Sequence, residues 1–539
     1  MKKDNRIGYQ RTIQQLLAVL TLLASTTLQK GVEYWKQKAI YQVITDRFYN
    51  SSTPPCPKWR NLTYCGGNWN GLIDKMEYIS GMGFKGVWVS PVQENSPGSY
   101  HGYSIINIFK LNPHFGNPTI FKNLTTVGKK YNVSVMVDVV PNHMAAVMFN
   151  YSKLTPFNKS EYFHDYCYIH NNDKLAVPWR TTNCRLFNFP DLKHEHPFVL
   201  NTLTTWAKEF VANYSVEGLR LDAIPHMPHF FLKAFSDAVN TKRNGVANGS
   251  ETYIVGECFD PRFYYVASFQ NDMDAVFNFP LYFAAANVFK SGNATAHTIR
   301  DLWTQLFTYF KDVHALGTFL DNHDNERFLY KLKPEQFYRL GNALSFLFFV
   351  PGIPNVFYGT EQEFNVGNDP ETRFPMWMWR GPDVPLNEST SYRGDEDTFN
   401  PYSTKSKYYL YIKTLNHFRD VLKIWEDERR MVQHLKVVPA KGVPANDGNI
   451  YSFQRSQAVL VVPTGSFDYH RNYMVTFTGI TGFEKGEELC DIQESGYCVT
   501  IGEQVGEITL QIVKGEARVM VPKKYHLSIE AGQDESESS

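Results

Sequence analysis

The chain has 539 residues, of which 43% are hydrophobic and 15% aromatic, and its formal net charge is zero. This length suits one large domain with a smaller companion. The balanced charge leaves no electrostatic footprint for nucleic acid or for an anionic membrane surface, so it argues against those partners and favours a neutral or weakly charged small ligand.

The N-terminus has the composition of a secretory signal. An apolar run occupies residues 16–24, and small residues follow at 25–27. The basic residues that precede the run are Lys2, Lys3, Arg6 and Arg11. Because the run is too short to span a bilayer comfortably, we predict a signal peptide over residues 1–26, cleaved near residues 24–28, with no stable membrane insertion. An uncleaved anchor is the alternative.

Asparagine sequons and cysteine spacing agree with export. Ten sequons occur, at Asn50, Asn61, Asn123, Asn132, Asn150, Asn158, Asn213, Asn248, Asn293 and Asn387. Three local cysteine pairs would each close a short disulfide loop: Cys56 with Cys65, Cys167 with Cys184, and Cys490 with Cys498. The remaining Cys258 is interpreted as a small buried strand residue. We therefore expect a secreted glycoprotein, extracellular or in the lumen of a digestive compartment.

Short apolar runs rich in β-branched and aromatic residues recur along the first two thirds of the chain. They lie at 39–44, 86–91, 133–140, 216–223, 253–258, 273–279, 315–320 and 355–359. Most are apolar nearly throughout, which is typical of strands buried on both faces of a parallel sheet. Helical patterns lie between several of them, for example at 198–214 and 336–349. The sequence therefore predicts an α/β fold, a (β/α)8 TIM barrel over residues 30–143 and 197–422.

Two further segments depart from the barrel pattern. Residues 144–196, after the third strand, contain no convincing helix and carry one cysteine pair, so we predict a small inserted loop domain held by a disulfide. Residues 423–527, beyond a final barrel helix near 405–418, alternate between apolar and polar, which predicts a C-terminal antiparallel β-sandwich domain. The acidic tail, residues 528–539, is expected to be disordered and offers no segment for a lipid anchor.

Ionisable residues gather at the carboxyl ends of the predicted strands, where barrel enzymes carry their active sites. They are Asp138, Asn142 and His143 after the third strand, Arg220, Asp222 and His226 at the fourth, Glu257 at the fifth, and His323 with Asp324 at the seventh. Alone, Arg220 and Asp222 would be a structural ion pair, and a lone aspartate would be a helix cap. Several such groups in one buried place indicate a function. Asp138, set deeper in its strand, is interpreted as a support that orients its neighbours.

Four motifs, in this order and spacing, resemble the signature regions of the α-amylase family of glycoside hydrolases. They are DVVPNH (138–143), GLRLDAIPH (218–226), GECFD (256–260) and FLDNHD (319–324). TDRF (45–48), CGGNWNGLIDKMEYISGMGF (65–84), YHGY (100–103) and GNDPETR (367–373) are similar to secreted fungal-type members. The resemblance covers residues 34–420 well and the C-terminal domain loosely. It implies a secreted enzyme that cleaves internal α-1,4 bonds of starch or glycogen with retention.

The resemblance assigns the three carboxylates. Asp222 matches the nucleophile, Glu257 the general acid/base, and Asp324 the third carboxylate, which binds the distorted sugar. A retaining glycosidase needs two carboxyl groups about 5 Å apart, one ionised and one protonated. The cation of Arg220 favours the charged form of Asp222, and the neighbouring carboxylates favour the protonated form of Glu257.

The resemblance also implies residues that bind sugar and calcium. The sugar-binding residues are His143, His226 and His323 for hydroxyl groups, Tyr103 as an aromatic platform, Arg220, and Asp369 with Arg373 at the outer non-reducing-side sugar. Ordinary packing is the alternative for any single Tyr or His. The implied ligands of a structural Ca²⁺ are Asn142, Asp191, the backbone carbonyl of His226, and Thr182 if its carbonyl is the contact.

Two positions depart from the fungal-type pattern. Pro225 stands where a lysine is common, and Ser104 stands where an aromatic residue is common, and both positions normally contact sugars beside the cleavage point. The departures leave open the balance between hydrolysis and transfer to another sugar. We therefore expect a monomeric α-amylase acting on α-glucans, with an α-glucosidase or α-glucan transglycosylase as the alternative. A non-catalytic relative is a third reading, disfavoured because all three carboxylates are present.

Overall fold

The computed structural model of the chain describes residues 31–52, 55–61, 63–146, 150–170, 178–240, 252–382, 400–427, 432–502 and 506–526. The predicted signal peptide and acidic tail, and the sequons at Asn248 and Asn387, lie outside these residues. Seven of the other sequon asparagines are exposed, and Asn50 is partly exposed. Within the described ranges, no helix is long and apolar enough to cross a membrane.

Eight parallel strands form the barrel, which confirms the predicted fold class. They are β1 (Ile40–Val43), β2 (Gly86–Val89), β5 (Ser134–Val139), β6 (Gly218–Leu221), β7 (Tyr253–Gly256), β8 (Ala275–Val276), β9 (Gly317–Phe319) and β10 (Ile353–Phe357), with a hairpin of β3 (Gln93–Asn95) and β4 (Ile105–Leu111) after β2. Neighbouring strands follow the order β8-β7-β6-β5-β2-β1-β10-β9. A parallel bridge between Phe277 and Gly317 joins the two ends of this sheet.

The barrel strands are buried on both faces, as their continuous apolar runs predict. Every residue of β1, β2, β5, β6, β7 and β10 is buried. Trp88, Met136 and Val255 belong to one buried cluster among these strands. The sixth barrel strand, β8, is shorter than the predicted run at 273–279, because the side chain of Asn278 accepts a hydrogen bond from the Leu281 N–H (3.1 Å) and begins a helix there.

Helices follow most strands. The α-helices are Val32–Lys36, Thr45–Phe48, Trp69–Asp74, Met76–Gly81, Pro118–Lys130, Pro178–Asn183, Pro197–Tyr214, His229–Asn240, Phe263–Ser268, Phe279–Ala285, Ala296–Tyr309, Tyr338–Phe349 and Lys407–Val421, with a π-helix at Ala286–Ser291. Short 3₁₀ helices are Tyr151–Lys153, Ser160–Tyr162, Ile224–His226, Phe269–Asn271, Val313–Ala315, Pro334–Gln336, Thr360–Gln362, Glu371–Arg373, Met376–Met378 and Ile424–Glu426. Local sequence explains their starts: the Asn117 side chain accepts from the Ile120 N–H (3.0 Å), and Pro118 follows as the first helical residue.

The segment between β5 and the helix Pro197–Tyr214 forms the predicted excursion from the barrel. It contains the short helix Pro178–Asn183, whereas the sequence predicted none, because six residues are too few to display a helical period. The disulfide between Cys167 and Cys184 closes it, as predicted. An antiparallel bridge between His143 and Asp191 connects its two ends.

Antiparallel strands form the C-terminal region. They are β11 (Gln433–His434), β12 (Lys436–Val438), β13 (Ile450–Arg455), β14 (Ala458–Pro463), β15 (Tyr473–Thr478), β16 (Glu488–Asp491), β17 (Cys498–Thr500), β18 (Glu507–Ile512) and β19 (Arg518–Pro522). A six-stranded sheet in the order β11-β13-β14-β19-β16-β17 and a three-stranded sheet in the order β12-β15-β18 contribute to one shared apolar core. The disulfides Cys56–Cys65 and Cys490–Cys498 are also as predicted, and Cys258 is buried.

Candidate active site

The ends of β6 and β7 bring two carboxylates to one edge of the barrel. The Asp222 N–H donates to a carbonyl oxygen of β5 (2.9 Å), and Ala223 then turns the chain with a left-handed backbone (φ 52°). Glu257 directly follows β7. Gly256 allows this close packing, because a Cβ there would lie 2.6 Å from a side-chain carbon of Ile224. Parallel pairing of β6 with β7 therefore sets Asp222 and Glu257 side by side.

Arg220 connects the carboxylates of the site. Its side chain is 1% exposed, and Nη1 lies 2.9 Å from Asp138 Oδ1 and 2.6 Å from Asp222 Oδ1. Nη2 lies 3.1 Å from Glu257 Oε2. A planar guanidinium offers several donors in a rigid arrangement, so one buried cation fixes three carboxyl groups at once.

The surroundings of Glu257 favour its protonated form. Burial, together with the charges of Asp222 and Asp324, raises the pKa of Glu257 to about 7 against the opposing charge of Arg220. The Ala223 N–H donates to Oε2 (3.0 Å) and holds the carboxyl group in place. A carboxyl group that keeps its proton near neutral pH can act as a general acid.

Asp324, which follows β9, has surroundings that favour its ionised form. Its Oδ1 lies 2.9 Å from Arg373 Nη2, and its Oδ2 lies 3.1 Å from His323 Nε2. Burial acts to raise the pKa of Asp324, but the guanidiniums of Arg373 and Arg220 and the hydrogen bond from Arg373 outweigh burial and hold the pKa below its usual value. Arg373 also lies 3.3 Å from Asp369, so it links two acids of the cleft.

A chain of hydrogen bonds lies beneath these carboxylates. The Gln42 amide donates to Nδ1 of His323 (2.7 Å), which leaves Nε2 to donate to the Tyr103 hydroxyl (2.7 Å). That hydroxyl donates to Asp138 Oδ2 (2.9 Å), which also accepts from the Trp88 indole (3.2 Å). Burial lowers the pKa of His323 to about 3, so its ring is neutral and serves to orient its partners.

A cleft of about 1250 Å³ opens over the carboxyl ends of the strands. Eight of the predicted site residues line it: Tyr103, His143, Asp222, His226, Glu257, Asp324, Asp369 and Arg373. Three others, Asp138, Arg220 and His323, are each 1% exposed and lie below the cleft floor. Burial, with the charge of Asp222, raises the pKa of Asp138 to about 7, although Arg220 opposes the shift.

The remaining predicted sugar-binding histidines have well-defined partners. His143 Nε2 lies 3.1 Å from the Tyr103 carbonyl oxygen, and its ring stacks on Phe189 at a centroid distance of 4.4 Å. His226 Nδ1 lies 3.1 Å from the Thr181 carbonyl oxygen. His143 Nδ1 also lies 3.2 Å from the Asn142 side-chain amide, so these contacts fix the orientation of both rings where they line the cleft.

The two departing positions differ in placement. Pro225 lines the cleft and presents an apolar surface there. Ser104 is 8% exposed, and its N–H donates to Asn95 Oδ1 (2.7 Å), so its backbone helps to hold together the β3–β4 hairpin. Of the two, only the substitution at 225 changes the lining of the cleft.

Several cleft residues were missed by sequence reasoning. His101 Nδ1 accepts from the Tyr103 N–H (3.0 Å), and the two rings stack 5.7 Å apart. Burial and the charge of Arg373 lower the pKa of His101 to about 3, so this histidine is neutral. The position of His101 within the motif YHGY was the sequence signal that could have identified it. Phe187 and Phe259 also line the cleft, and a loop phenylalanine carries no periodic signal in sequence.

Two of the predicted calcium ligands have unused buried oxygens. Asn142 Oδ1 and Asp191 Oδ1 are buried and accept no hydrogen bond, while the Leu192 N–H donates to the Asn142 carbonyl (3.0 Å) and joins the two segments that carry them. Burial raises the pKa of Asp191 to about 7, and a bound cation would instead favour its ionised form. Asp191 Oδ2 lies 2.7 Å from Nδ1 of His164, a contact that was not anticipated.

These oxygens suit a calcium ion, which binds amide, carboxylate and carbonyl oxygens. The predicted set contains a single carboxylate, and no group of three or more His, Cys, Asp or Glu residues that could hold a metal occurs in the described part of the chain. Thr182 lies in the helix Pro178–Asn183, next to Thr181, whose hydroxyl is also buried without a partner. The contribution of Thr182 to a calcium site stays a prediction.

Comparison with known proteins agrees with this geometry. A family model described as the α-amylase catalytic domain matches residues 42–377. An α-amylase of Saccharomycopsis fibuligera is 30% identical over 94% of this chain and 97% of its own, and α-amylase 1 of Schwanniomyces occidentalis is 32% identical over 92% and 91%. The solved structure of an α-amylase from Malbranchea cinnamomea is 28% identical, covers 92% of this chain and 98% of its own, and superposes with a TM-score of 0.77. The chain therefore belongs to the α-amylase family of glycoside hydrolases.

Proposed function

We propose that this protein is a secreted α-amylase that hydrolyses internal α-1,4 bonds of starch or glycogen with retention of configuration. The observation that carries the proposal is the pairing of Asp222 and Glu257 on adjacent nitrogens of one buried guanidinium, with Asp324 in the same cleft. The named activity of the relatives and the family membership support it.

In the first step, a carboxylate oxygen of Asp222 attacks the anomeric carbon, and Glu257 donates its proton to the departing glycosidic oxygen. The charge of Arg220, 2.6 Å from Asp222, stabilises the attacking carboxylate and aims it. In the second step, Glu257 takes a proton from water, and the water oxygen displaces Asp222 from the anomeric carbon. A pKa of about 7 suits Glu257 for both directions of proton transfer near neutral pH.

Asp324 would stabilise the distorted sugar between these steps. It is held by Arg373 (2.9 Å), and a pKa below its usual value keeps it negative while positive charge develops at the anomeric carbon. Tyr103 lines the cleft and is held by its hydroxyl, so we assign its ring as the platform beneath this sugar. His143 and His226 would bind sugar hydroxyls, and Asp369 would bind the outer sugar together with Arg373.

The cleft favours a polymer over a single sugar. Its volume of about 1250 Å³ exceeds the range of about 300–1000 Å³ typical of small-molecule pockets. A site with room on both sides of the cleaved bond suits internal cleavage, whereas an α-glucosidase would release single glucose units. The product lengths from a maltoheptaose digest distinguish the two activities.

A structural calcium ion fits the proposal. Asn142 and Asp191 would hold it through their unused oxygens, with backbone carbonyls of His226 and Thr182 completing the site. The ion would supply structural cross-linking between the barrel and the inserted segment. The chain's own contacts at this place, the His143–Asp191 bridge and the Leu192 to Asn142 hydrogen bond, join the same two segments.

We also propose that the protein is exported as a glycosylated monomer. The N-terminal segment has the order of a signal peptide, and the exposed sequon asparagines are open to a transferase. Expression of the full chain in a secreting host should yield a secreted protein whose mass falls on endoglycosidase treatment. Its sedimentation should correspond to one chain.

The decisive test of the activity is hydrolysis of starch and maltoheptaose by the protein and by Glu257→Gln. We expect the substitution to lower kcat by about 10³-fold or more, because it removes the proton donor and keeps the side-chain shape. Glu209→Gln, on an exposed helix position, is the matched control and should retain full activity. Undiminished activity of Glu257→Gln would contradict the assigned role, and inactivity of the unmodified protein on both substrates would contradict the proposed function.

A further inference from the structure

A buried glutamine lies below the cleft floor on the first barrel strand. Gln42 is 2% exposed and does not line the cleft. Its backbone is fixed on both sides, because it pairs with Trp88 of β2 and with Phe357 of β10. Its side-chain nitrogen lies 2.7 Å from His323 Nδ1. A polar side chain that is buried in a barrel strand needs a hydrogen-bond partner, and here that partner is the histidine next to Asp324.

The contacts of His323 determine which ring nitrogen carries the proton. Nε2 lies 3.1 Å from Asp324 Oδ2 and 2.7 Å from the Tyr103 hydroxyl oxygen. Because an ionised carboxylate can only accept hydrogen bonds, Nε2 carries a proton. Burial lowers the pKa of His323 to about 3, so the ring is neutral and its Nδ1 can only accept. Gln42 therefore presents its amide N–H, rather than its oxygen, to Nδ1.

The amide donor of Gln42 opposes protonation of the ring. A proton on His323 Nδ1 would point at the N–H groups of Gln42, and a hydrogen bond donated to the neutral form of a base disfavours its charged form. The charged or titratable groups around the ring are Asp324, which favours the imidazolium, Arg373, Arg220 and His101, which disfavour it, and the hydroxyl of Tyr103. Gln42 acts in the same direction as the two arginines, and it does so through direct contact with the ring nitrogen.

The charge of His323 matters because the proposed mechanism uses the negative charge of Asp324. Asp324 already faces one cation, since its Oδ1 lies 2.9 Å from Arg373 Nη2. An imidazolium at His323 would place a second positive charge 3.1 Å from Oδ2, in a place where water screens little. Two cations would then outnumber one carboxylate just where positive charge develops on the sugar. A neutral ring instead orients Asp324 with one hydrogen bond and adds no net charge.

We propose that Gln42 is a positioning residue for the reaction. It donates to His323 Nδ1, keeps that ring neutral with its proton on Nε2, and so preserves both the orientation and the negative charge of Asp324. This inference rests on the proposed function, in which Asp324 stabilises the distorted sugar. Gln42 acts through the histidine, because it lies below the floor of the cleft and does not line it.

The variant that tests this role is Gln42→Glu, which keeps the side-chain shape and replaces the donor with a carboxylate. A carboxylate favours a proton on His323 Nδ1, so the ring becomes either an imidazolium or the opposite tautomer. The first offsets the charge of Asp324, and the second removes its hydrogen-bond donor. We expect kcat on maltoheptaose to fall about tenfold or more with KM nearly unchanged, because the affected interaction acts in the transition state. The pH profile of kcat should gain a titration that the unmodified enzyme lacks.

Gln270→Glu is the matched control for burial and for the chemistry of the substitution. Gln270 is 1% exposed, does not line the cleft, and donates to the carbonyl oxygens of Asp274 (3.2 Å) and Asp312 (2.8 Å). The control should lower the melting temperature and leave kcat and its pH profile unchanged. An unchanged kcat and pH profile in a folded Gln42→Glu would overturn the role of Gln42 and leave the proposed function standing.

Neutron diffraction from crystals of the deuterated, unmodified protein locates the ring proton directly. It therefore decides the case even if Gln42→Glu fails to fold. Near neutral pH we expect deuterium on Nε2 of His323, none on Nδ1, and the amide N–D of Gln42 directed at Nδ1. Deuterium on Nδ1 would overturn the proposal, whatever the activity of the variant. Failure of the unmodified protein to hydrolyse maltoheptaose would overturn the proposed function and the role of Gln42 in the reaction together.

Discussion

Replacing Arg220 with glutamine is the perturbation that the buried charge cluster predicts most sharply. The substitution removes three ion contacts, with Asp138 (2.9 Å), Asp222 (2.6 Å) and Glu257 (3.1 Å), and leaves acidic groups buried together. Removing one partner of a buried ion pair costs about 3–5 kcal/mol. We expect that loss of stability where the acids are ionised, and a fall in kcat of about 10²–10³-fold, which corresponds to about 3–4 kcal/mol.

The destabilisation should depend on pH. Burial already raises the pKa of Asp138 and of Glu257 to about 7 in the folded protein, above the values of the unfolded chain. A carboxyl group with a raised folded pKa costs stability as pH rises through its titration, and removing Arg220 raises these pKa values further. The variant should therefore lose much more stability at pH 8 than at pH 5, where both acids are protonated.

Thermal melting at pH 5 and pH 8 measures this difference. Arg419→Gln is the matched control, because Arg419 is equally buried and donates to the backbone carbonyls of Phe348, Lys36 and Gly352. It should lose similar stability at both values. Equal destabilisation of Arg220→Gln at pH 5 and pH 8 would refute the reasoning.

Two further predictions follow from the same contacts. The alkaline limb of the kcat/KM profile should reflect a group with a pKa near 7. Asp324→Asn should move that limb to lower pH, because it removes a negative charge that raises the pKa of Glu257. A limb that moves to higher pH in this variant, measured as kcat/KM across pH, would contradict this. Chelation should lower the melting temperature, and Ca²⁺ should restore it. Asp191→Ala should abolish this response, whereas the exposed control Asp165→Asn should keep it. An unaltered response in Asp191→Ala would contradict the calcium site.

Sequence alone could predict the barrel because strands that are buried on both faces are apolar at nearly every position. The strands near 86–89 and 134–139 are clear in sequence for this reason. The strand Ala275–Val276 is shorter than the predicted run at 273–279, because Asn278 caps a helix inside that apolar run. The helix Pro178–Asn183 was missed because it is too short to show a period. Domain boundaries stay predictions.

The site divides in a similar way. Charged residues at strand ends could be predicted to converge, since parallel strands place their carboxyl ends at one edge. Sequence could not give the depth at which each residue lies. Arg220 and His323 lie below the floor of the cleft, in contact with Asp222, Asp324 and Tyr103, and their sugar-binding role stays a prediction. The contact of His164 with Asp191 depends on how the inserted segment folds back.

The most direct test of the central claim is to trap the glycosyl–enzyme ester. A fluorinated maltosyl fluoride, which slows the second step, should label the protein with one sugar adduct, and peptide mass spectrometry should locate that adduct on Asp222, whose Oδ1 lies 2.6 Å from Arg220. An adduct on any other residue, or first-formed products with inverted configuration and no adduct, would contradict the account.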